Sequence, residues 1–522
     1  MFHFLAKTQA GSLRNRSRYS LHLLTTLAMS VCAALFTQHL DTTSLKAAST
    51  EGPNQARNAK PNVLLICIDD LKPTLGCYSD PVAVTPNIDA LAKRGVLFSS
   101  AYCNQAICSP SRNALLTGLR PQTIGIYDLG TNFRVAVPHA ITLTQHFKNH
   151  GYFAQGLGKI FHTGHGNSDD QASWSVPSWR SKAPAYVRDD SLQQLRPDSK
   201  GRIRGPATES AETSDQSYAD GKVAVESIQR LEKAAANREQ PFFLAVGFIR
   251  PHLPFVAPKQ YWDLYDPARL PMPELLKPPV DAPDYAPTQG GELRNYAGMS
   301  QHIDPATTRQ LIHGYYAATS YTDAQVGKLL DALERLGLRE NTIVVLWGDH
   351  GWHLGDHGMW CKHTNYEQAN RIPLIMAAPG CSAGETSPAL IESVDVYPTL
   401  AGLAGLPIPM DVDGQNFANL LTSPENPGRE YALHAYPRGK LIGRALRDHR
   451  YRLIEWKIPG EPMENADIEL YDYETDPLET KNIAAEQPQI VSTMRAELTK
   501  VLEAKPQLKN PKAQKRKSSQ RK

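Results

Sequence analysis

A doubly wound α/β fold, built on a mostly parallel central sheet and followed by a smaller C-terminal α+β subdomain, is the architecture this 522-residue sequence predicts. Three observations predict it. Short continuous apolar runs alternate with helical stretches, each run stops abruptly at polar residues, and beyond position 404 the pattern changes to short alternating segments. An unbroken apolar run marks a strand buried on both faces under helices, whereas alternation marks a strand with one face covered. The length suits one large core plus a smaller unit, expected here over residues 60–405 and 406–505. Hydrophobic residues at 41% and charged residues at 21% describe a soluble globular protein, and a net charge of only +3 argues against dedicated nucleic-acid binding. No internal repeat is visible.

Residues 1–48 read as a signal peptide and leader. Arg14, Arg16 and Arg18 precede a mostly apolar run over 21–36, of signal length and short for a membrane span, and Ala47-Ala48-Ser49 offers a cleavage site. The alternative is an uncleaved N-terminal anchor; either way the body of the protein is expected to be exported. No later segment is apolar enough to span a bilayer, so no stable span is expected in the mature chain.

The elements of the larger unit follow in order. Residues 62–68 (NVLLICI) form the first strand, which stops at Asp69-Asp70. A helix begins at Thr85-Pro86, with Thr85 as its cap and Asp89 in its first turn, and ends at Gly95. Residues 96–102 lead into Cys108-Ser109-Pro110-Ser111-Arg112. Pro110 suits the first turn of a helix and Gly118 the residue just past its end, so Cys108 sits at a helix N-terminus, where free N–H groups favour a thiolate or an anion. The plainer reading is an ordinary buried cysteine; Arg112, one turn on and on the same face, weighs against it. A second strand at 152–157 opens onto Gly158-Lys159-Ile160-Phe161-His162, and a third at 242–248 ends at Arg250-Pro251-His252. A fourth at 342–347 ends at Gly348-Asp349-His350, and a fifth covers 373–378.

Between these strands, 165–213 is long, polar and irregular, a lid or substrate-facing insertion holding Trp174, Trp179, Arg180 and Arg188. Helices are expected at 218–236, 305–316 and 323–336, with a proline-rich stretch at 254–291. In the smaller unit, 431–434, 440–443, 451–455 and 469–473 alternate as antiparallel strands, before a last helix near 489–503. Residues 506–522 are expected to be a basic disordered tail, with tethering to a polyanion as its one conceivable role.

The polar residues that end these strands carry the functional argument. Ligands bind at the C-terminal edge of an open parallel sheet, so Asp69, Asp70, Lys159, His162, His252, Asp349 and His350 are expected to converge there. Asp69, Asp70 and Asp349 are hard oxygen ligands of the kind Ca²⁺ or Mg²⁺ prefers; His350 is less usual for calcium, and residue type alone leaves zinc or manganese open. Arg112, Lys159 and Lys362 add positive charge. A divalent ion plus three cations outweighs three carboxylates, so the site should attract an anionic tetrahedral ester. His353 and His357 are expected to shape their loop, while Trp352 and Trp360 are left open between core and sugar stacking.

Cys-x-Pro-x-Arg resembles the maturation motif of type I sulfatases, of the alkaline-phosphatase-like superfamily, and the rest of the chain supports the resemblance. PNVLLICIDDLKPTLGCY, TPNIDALAKRGVLFSSAY, CSPSRNALLTGLRP, GKIFH, PFFLAVGFIRPHLPF, GDHGWHLGDHG and WCKHTN occur in that family's order, and are most similar to its iduronate-2-sulfatase branch. ELYDYETDPLETKNIA resembles the C-terminal part of many sulfatases. The resemblance implies that a formylglycine-generating enzyme oxidises Cys108, and that Asp69, Asp70, Asp349 and His350, with an oxygen of the modified Cys108, bind one Ca²⁺. Histidine at 350, where many sulfatases have asparagine, fits the narrower branch. It further implies that Arg112 holds the formylglycine hydrate and the metal-side carboxylates, that Lys159 and Lys362 grip sulfate, and that His252 protonates the departing sugar oxygen. Asp349 would help to deprotonate the attacking hydroxyl and His162 would assist release of sulfate. With Cys32 in the signal and Cys108 modified, five cysteines remain, an odd number without a CxxC pair, so at least one thiol stays free.

The implied substrate is a sulfated sugar or polysaccharide. A formylglycine-dependent phosphonate monoester or phosphodiester hydrolase is the alternative enzyme, and a catalytically dead binder of sulfated glycans the non-enzymatic one.

Overall fold

The computed structural model describes residues 60–509 apart from positions 199 and 289, so the expected export signal lies outside the described residues. Seven strands form the central sheet: β1 (Asn62–Ile68), β2 (Val96–Tyr102), β3 (Phe153–Gly158), β4 (Phe242–Phe248), β5 (Thr342–Gly348), β6 (Arg371–Ala377) and β7 (Glu385–Glu392). Their order is β7-β2-β6-β5-β1-β4-β3. All neighbours pair in parallel except β6, which runs against both β5 and β2. The sheet is the mostly parallel one expected; β2 and β7 are additions, and nothing in the residue pattern signals the reversed direction of β6.

Both faces of the sheet are covered, as the unbroken apolar runs require. Along β1, Val63, Leu65 and Cys67 join one core cluster, and Leu64, Ile66 and Ile68 the other. Full burial of each such aliphatic chain contributes about 1.5–3 kcal/mol. Helix α1 (Pro86–Ala92) packs on the second face. Its expected cap differs: Thr85 makes no capping bond, and the Asp323 carboxylate instead accepts the N–H groups of Asn87 and Ile88 at 3.1 and 2.7 Å. Helix α2 (Cys108–Thr117) is buried along its whole length and ends at Gly118, whose φ of 69° is the left-handed conformation expected there.

Helix α3 spans Ala219–Ala235, and α4 is a single 31-residue helix, Pro305–Arg335, where the sequence suggested two. In the stretch 317–322, Thr319, Ser320, Tyr321 and Thr322 are weak helix formers and no amphipathic period shows, yet every residue is buried. Thr319 and Thr322 donate their hydroxyls within the helix, to the carbonyls of Tyr315 and Ala318 at 2.9 and 3.1 Å, while Ser320 and Tyr321 donate outside it, to Val84 O and Asp215 O at 2.8 and 2.9 Å.

The C-terminal strands β8 (Ala432–Arg438), β9 (Leu441–Arg447), β10 (Tyr451–Lys457) and β11 (Asp467–Asp472) form an antiparallel meander. Their alternation separates two faces. Leu446, Leu453 and Leu470 pack under α5 (Pro488–Thr499), while Ala445, Ile454 and Tyr471 pack against Met359 and Tyr366 of the larger unit. The described residues belong to one compact unit, so the change of pattern near 405 marks a change of sheet rather than a gap between bodies. Residues 506–508, expected to open the tail, pack on the body, and 510–522 lie outside the described residues. Lys505 N–H donates to Gln122 O at 3.0 Å, Leu508 N–H donates to Gly125 O at 2.7 Å, and Leu508 lies on the main core.

Candidate active site

Strand register builds the floor of the site. Ile68 is opposite Phe248 on β4 and Gly348 on β5, and Gly158 on β3 is opposite Gly247. The ladder continues one residue further: Asp69 N–H donates to Phe248 O at 3.2 Å, Asp349 N–H to Ile68 O at 3.1 Å, and Lys159 N–H to Gly247 O at 2.9 Å. Asp69, Lys159 and Asp349 therefore leave the sheet at one level. Consecutive side chains of a strand point oppositely, but Asp70 has φ 61°, which breaks the alternation and brings both carboxylates to the same place. Tyr315 holds that turn, donating to Asp70 O at 2.8 Å and accepting from Lys72 N–H at 2.9 Å. Gly158 (φ 67°) is fixed by space as well, since a Cβ there would stand 2.0 Å from Gly247 O.

Asp69, Asp349 and His350 are completely buried beside Cys108, with ligand atoms within 4.8 Å of one another; Asp69, Asp70, Cys108 and His252 form an overlapping group. His350 Nδ1 faces Gly351 O at 3.1 Å and so carries the proton, which leaves a lone pair on Nε2. That nitrogen stands 3.4 Å from Asp70 Oδ1, 3.6 Å from Asp349 Oδ1 and 3.5 Å from Cys108 Sγ. Three converging carboxylates and one presented imidazole lone pair fit a divalent cation. Burial and the facing Asp69 push the Asp349 carboxyl up to about 6. Burial would also raise Asp69, but Lys159, His252 and Arg112 hold it well below the usual carboxylate range.

Arg112 is fully buried and ties the floor together. Its Nε donates to Asp349 Oδ2 at 2.9 Å, Nη2 to Asp69 Oδ1 at 3.2 Å, and Nη1 to the carbonyls of Ile160, at 3.2 Å, and Lys159. Asp69 and Asp349 are thus both its partners. Cys108 is the first residue of α2, with Lys159 Nζ 3.6 Å from its sulfur. The thiolate expected at a helix N-terminus is not favoured, because burial and then Asp69 raise the thiol pKa. Cys108 and the other five described cysteines are free, with no disulfide.

The other wall is made by His252, Lys362 and Glu292, and the last of these the sequence did not suggest. Glu292 Oε2 lies 2.7 Å from Lys362 Nζ and Oε1 lies 3.1 Å from His252 Nε2. His252 Nδ1 is 2.6 Å from Leu253 O, so both ring nitrogens face acceptors and the ring is an imidazolium. Burial opposes that charge, but Asp70 and Glu292 raise the His252 pKa to about 10. Lys362 Nζ also meets both Asp70 oxygens at 3.1 Å and lies 4.7 Å from the Trp352 ring centre. Trp352 and Trp360 are both core, which decides the question left open. His353 and His357 bond to Asp356 and Thr364, and to Leu478 O, and so shape the loop as expected.

The loop that carries Lys362 is held by the C-terminal sheet. Arg438 donates to His363 O at 2.6 Å, Asn365 Nδ2 to Gly443 O at 3.1 Å, Tyr366 Oη to Glu469 at 2.9 Å, and Arg452 pairs with Glu367 at 2.7 Å.

A cavity of about 740 Å³ opens above Cys108, lined by Lys159, His162, His252, Lys362 and Glu292. The insertion 165–213 supplies its rim through Arg180, Lys200, Arg202 and Arg204. Glu292 is the sole acid among the lining residues, so the cavity is suited to an anion. The insertion is ordered rather than loose: Trp174 is buried against Gly156, and Trp179 extends the edge of β3. Every expected site residue reaches this cavity or its floor. His162 lines the cavity but is bonded to His165 rather than to Cys108.

The sulfatase family model matches residues 61–406, and the model of the N-sulphoglucosamine sulphohydrolase C-terminal region matches 355–506. Iduronate 2-sulfatase of Mus musculus is 33% identical over 500 residues, covering 81% of this chain and 90% of that protein. Choline-sulfatase of Rhizobium meliloti is 29% identical over 443 residues, covering 81% and 82%. Among solved structures, the phosphonate monoester hydrolase SpPMH from Silicibacter pomeroyi aligns with a TM-score of 0.68 at 24% identity, over 84% of this chain and 94% of that one, a likeness of fold. Catalytic-domain motifs, strand-end carboxylates and a family match across two thirds of the sequence agree: the chain belongs to the sulfatase family.

Proposed function

We propose that this protein hydrolyses a sulfate ester of a carbohydrate, with the 2-sulfated uronate of a polysaccharide as the preferred group. The observation that carries the reading is the position of Cys108, between the carboxylate floor and Lys159, at the base of a cavity whose lining is cationic but for Glu292. Relatives that share its motifs use formylglycine and a divalent metal; here Cys108 is proposed as the modified residue, and Asp69, Asp70, Asp349 and His350 as ligands of Ca²⁺. The export signal implies a secreted or periplasmic enzyme that meets its maturation enzyme on the way.

Once formed, the formylglycine supplies a hydrated aldehyde as nucleophile, and the cation balances the carboxylates beneath it. The chain's own residues do the rest. Lys159 and Lys362 place ammonium groups on two sides of the bound sulfate. His252, already an imidazolium, gives its Nε2 proton to the departing sugar oxygen. Arg112 keeps Asp69 and Asp349 oriented towards the cation, and Asp349 accepts a proton from the nucleophile.

Turnover of an aryl sulfate and an aryl phosphodiester by the matured enzyme, followed by a panel of defined sulfated oligosaccharides, tests the reading. Preference for the sulfate and for a 2-sulfated uronate is expected. A strong preference for the phosphodiester would move the protein to phosphonate or phosphodiester hydrolysis.

A further inference from the structure

We propose that His165 and Arg202, both outside the motifs of the family, are positioning residues that lock His162 in its Nδ1–H tautomer, keeping that N–H as a donor to an oxygen bound in the cavity. The proposal rests on the sulfatase reading for what the oxygen belongs to, but not for the tautomer itself.

The chain of inference needs only donor and acceptor rules. Arg202 Nη1 lies 3.0 Å from His165 Nε2. A guanidinium only donates, so this nitrogen of His165 accepts and its proton sits on Nδ1. Nδ1 of His165 lies 3.1 Å from Nε2 of His162, which therefore accepts as well. The proton of His162 is left on Nδ1. His162 is only 9% exposed, lines the cavity with Cys108, and its Nδ1 is a buried atom with no partner in the protein. A buried N–H without an acceptor destabilises the protein, and a ligand oxygen would relieve it. Burial and the nearby Lys159 lower the His162 pKa to about 2, and burial and Arg202 lower that of His165, so both rings are neutral as the geometry requires.

The backbone supports the same assignment. His165 has φ 53°, a left-handed conformation unusual for a residue with a side chain, between Gly164 (φ 110°) and Gly166 (φ 93°). Asn167 closes the turn against Gly164 at 2.8 Å and reaches Ser109 Oγ at 3.1 Å, next to Cys108. The strained turn is thus tied to the helix that carries Cys108, and it delivers the His165 ring parallel to His162, with centroids 5.3 Å apart.

Nitrogen NMR of the histidine-labelled protein reads which atom carries the proton, with the His162 signal identified by its loss in His162→Asn. The native protein should show Nδ1–H. His165→Ala should give a mixture of tautomers and lower kcat about tenfold with little change in KM. His165→Asn, whose amide N–H can still donate to His162 Nε2, should restore the tautomer and most of kcat. Native His162 protonated on Nε2, or His165→Ala with native tautomer and native kcat, would overturn the proposal. The NMR result stands whether or not the enzyme turns over sulfate esters, so a failure of the relay and a failure of the sulfatase reading are told apart.

Discussion

The floor of the site and its rim are built by different means. Asp69, Lys159 and Asp349 are placed by parallel register: each follows a strand directly, and the ladder sets them level. Glu292 and Lys362, and the Arg202 end of the His162–His165–Arg202 relay, are placed by bonds between segments far apart in sequence, such as Arg438 to His363. A register is a local property that an apolar run with a polar stop betrays, whereas a cross-chain bond leaves no mark on either segment. The floor should therefore fail all at once when touched, and the rim by degrees.

The largest expected effect is at the floor. Cys108→Ala should abolish turnover with the fold intact, and Cys108→Ser should fail nearly as badly, because an alcohol lacks the second hydroxyl; activity near native in either would remove residue 108 as nucleophile. At the border of the two regions, His252→Gln should lower kcat by about 10²–10⁴ for a sugar sulfate, yet far less for nitrophenyl sulfate, whose leaving group needs no proton. Equal losses on both would show that His252 binds substrate rather than protonating it. On the rim, Arg438→Met should leave the enzyme folded and cost roughly tenfold in kcat/KM, by loosening the loop that ends in Lys362. Unchanged kinetics would mean that this clamp is not what positions Lys362.

The smallest effect lies in the scaffold, away from both. Burial raises the Asp323 pKa to about 6 from its ordinary 3.8. A raised folded pKa gives stability that is full below the unfolded pKa and is lost as pH rises through about 6. Native protein should therefore lose roughly 1–3 kcal/mol between pH 4 and 7 relative to Asp323→Asn, which keeps an acceptor for the Asn87 and Ile88 N–H groups. Thermal unfolding curves that run parallel across that range would contradict the assignment.

The same contrast explains what the sequence disclosed. β1, β4 and β5 were legible to within a residue, because a strand buried on both faces has no polar position to blur it. The meander was legible because each strand alternates between α5 and the larger unit. From its residues β2 registers only as a lead into Cys108, since Ser99 and Ser100 interrupt its apolar run, and β7 shows no strand pattern with Glu385, Thr386 and Ser387 at its start. The single helix α4 was split where its buried face turns to alanine and hydroxyls. Of the site, the residues of strand ends and the Cys108 motif were legible. Glu292 was not, lying in a proline-rich stretch without periodicity, and neither was His165, whose partners are set by a left-handed turn.

Anomalous diffraction from crystals of the matured enzyme with bound Ca²⁺, or Mn²⁺ in its place, tests the central claim most directly. A single peak is expected within coordinating distance of Asp69, Asp70, Asp349 and His350, against an oxygen of residue 108. A peak elsewhere, or a floor that takes no ion while the enzyme is active, would contradict the account.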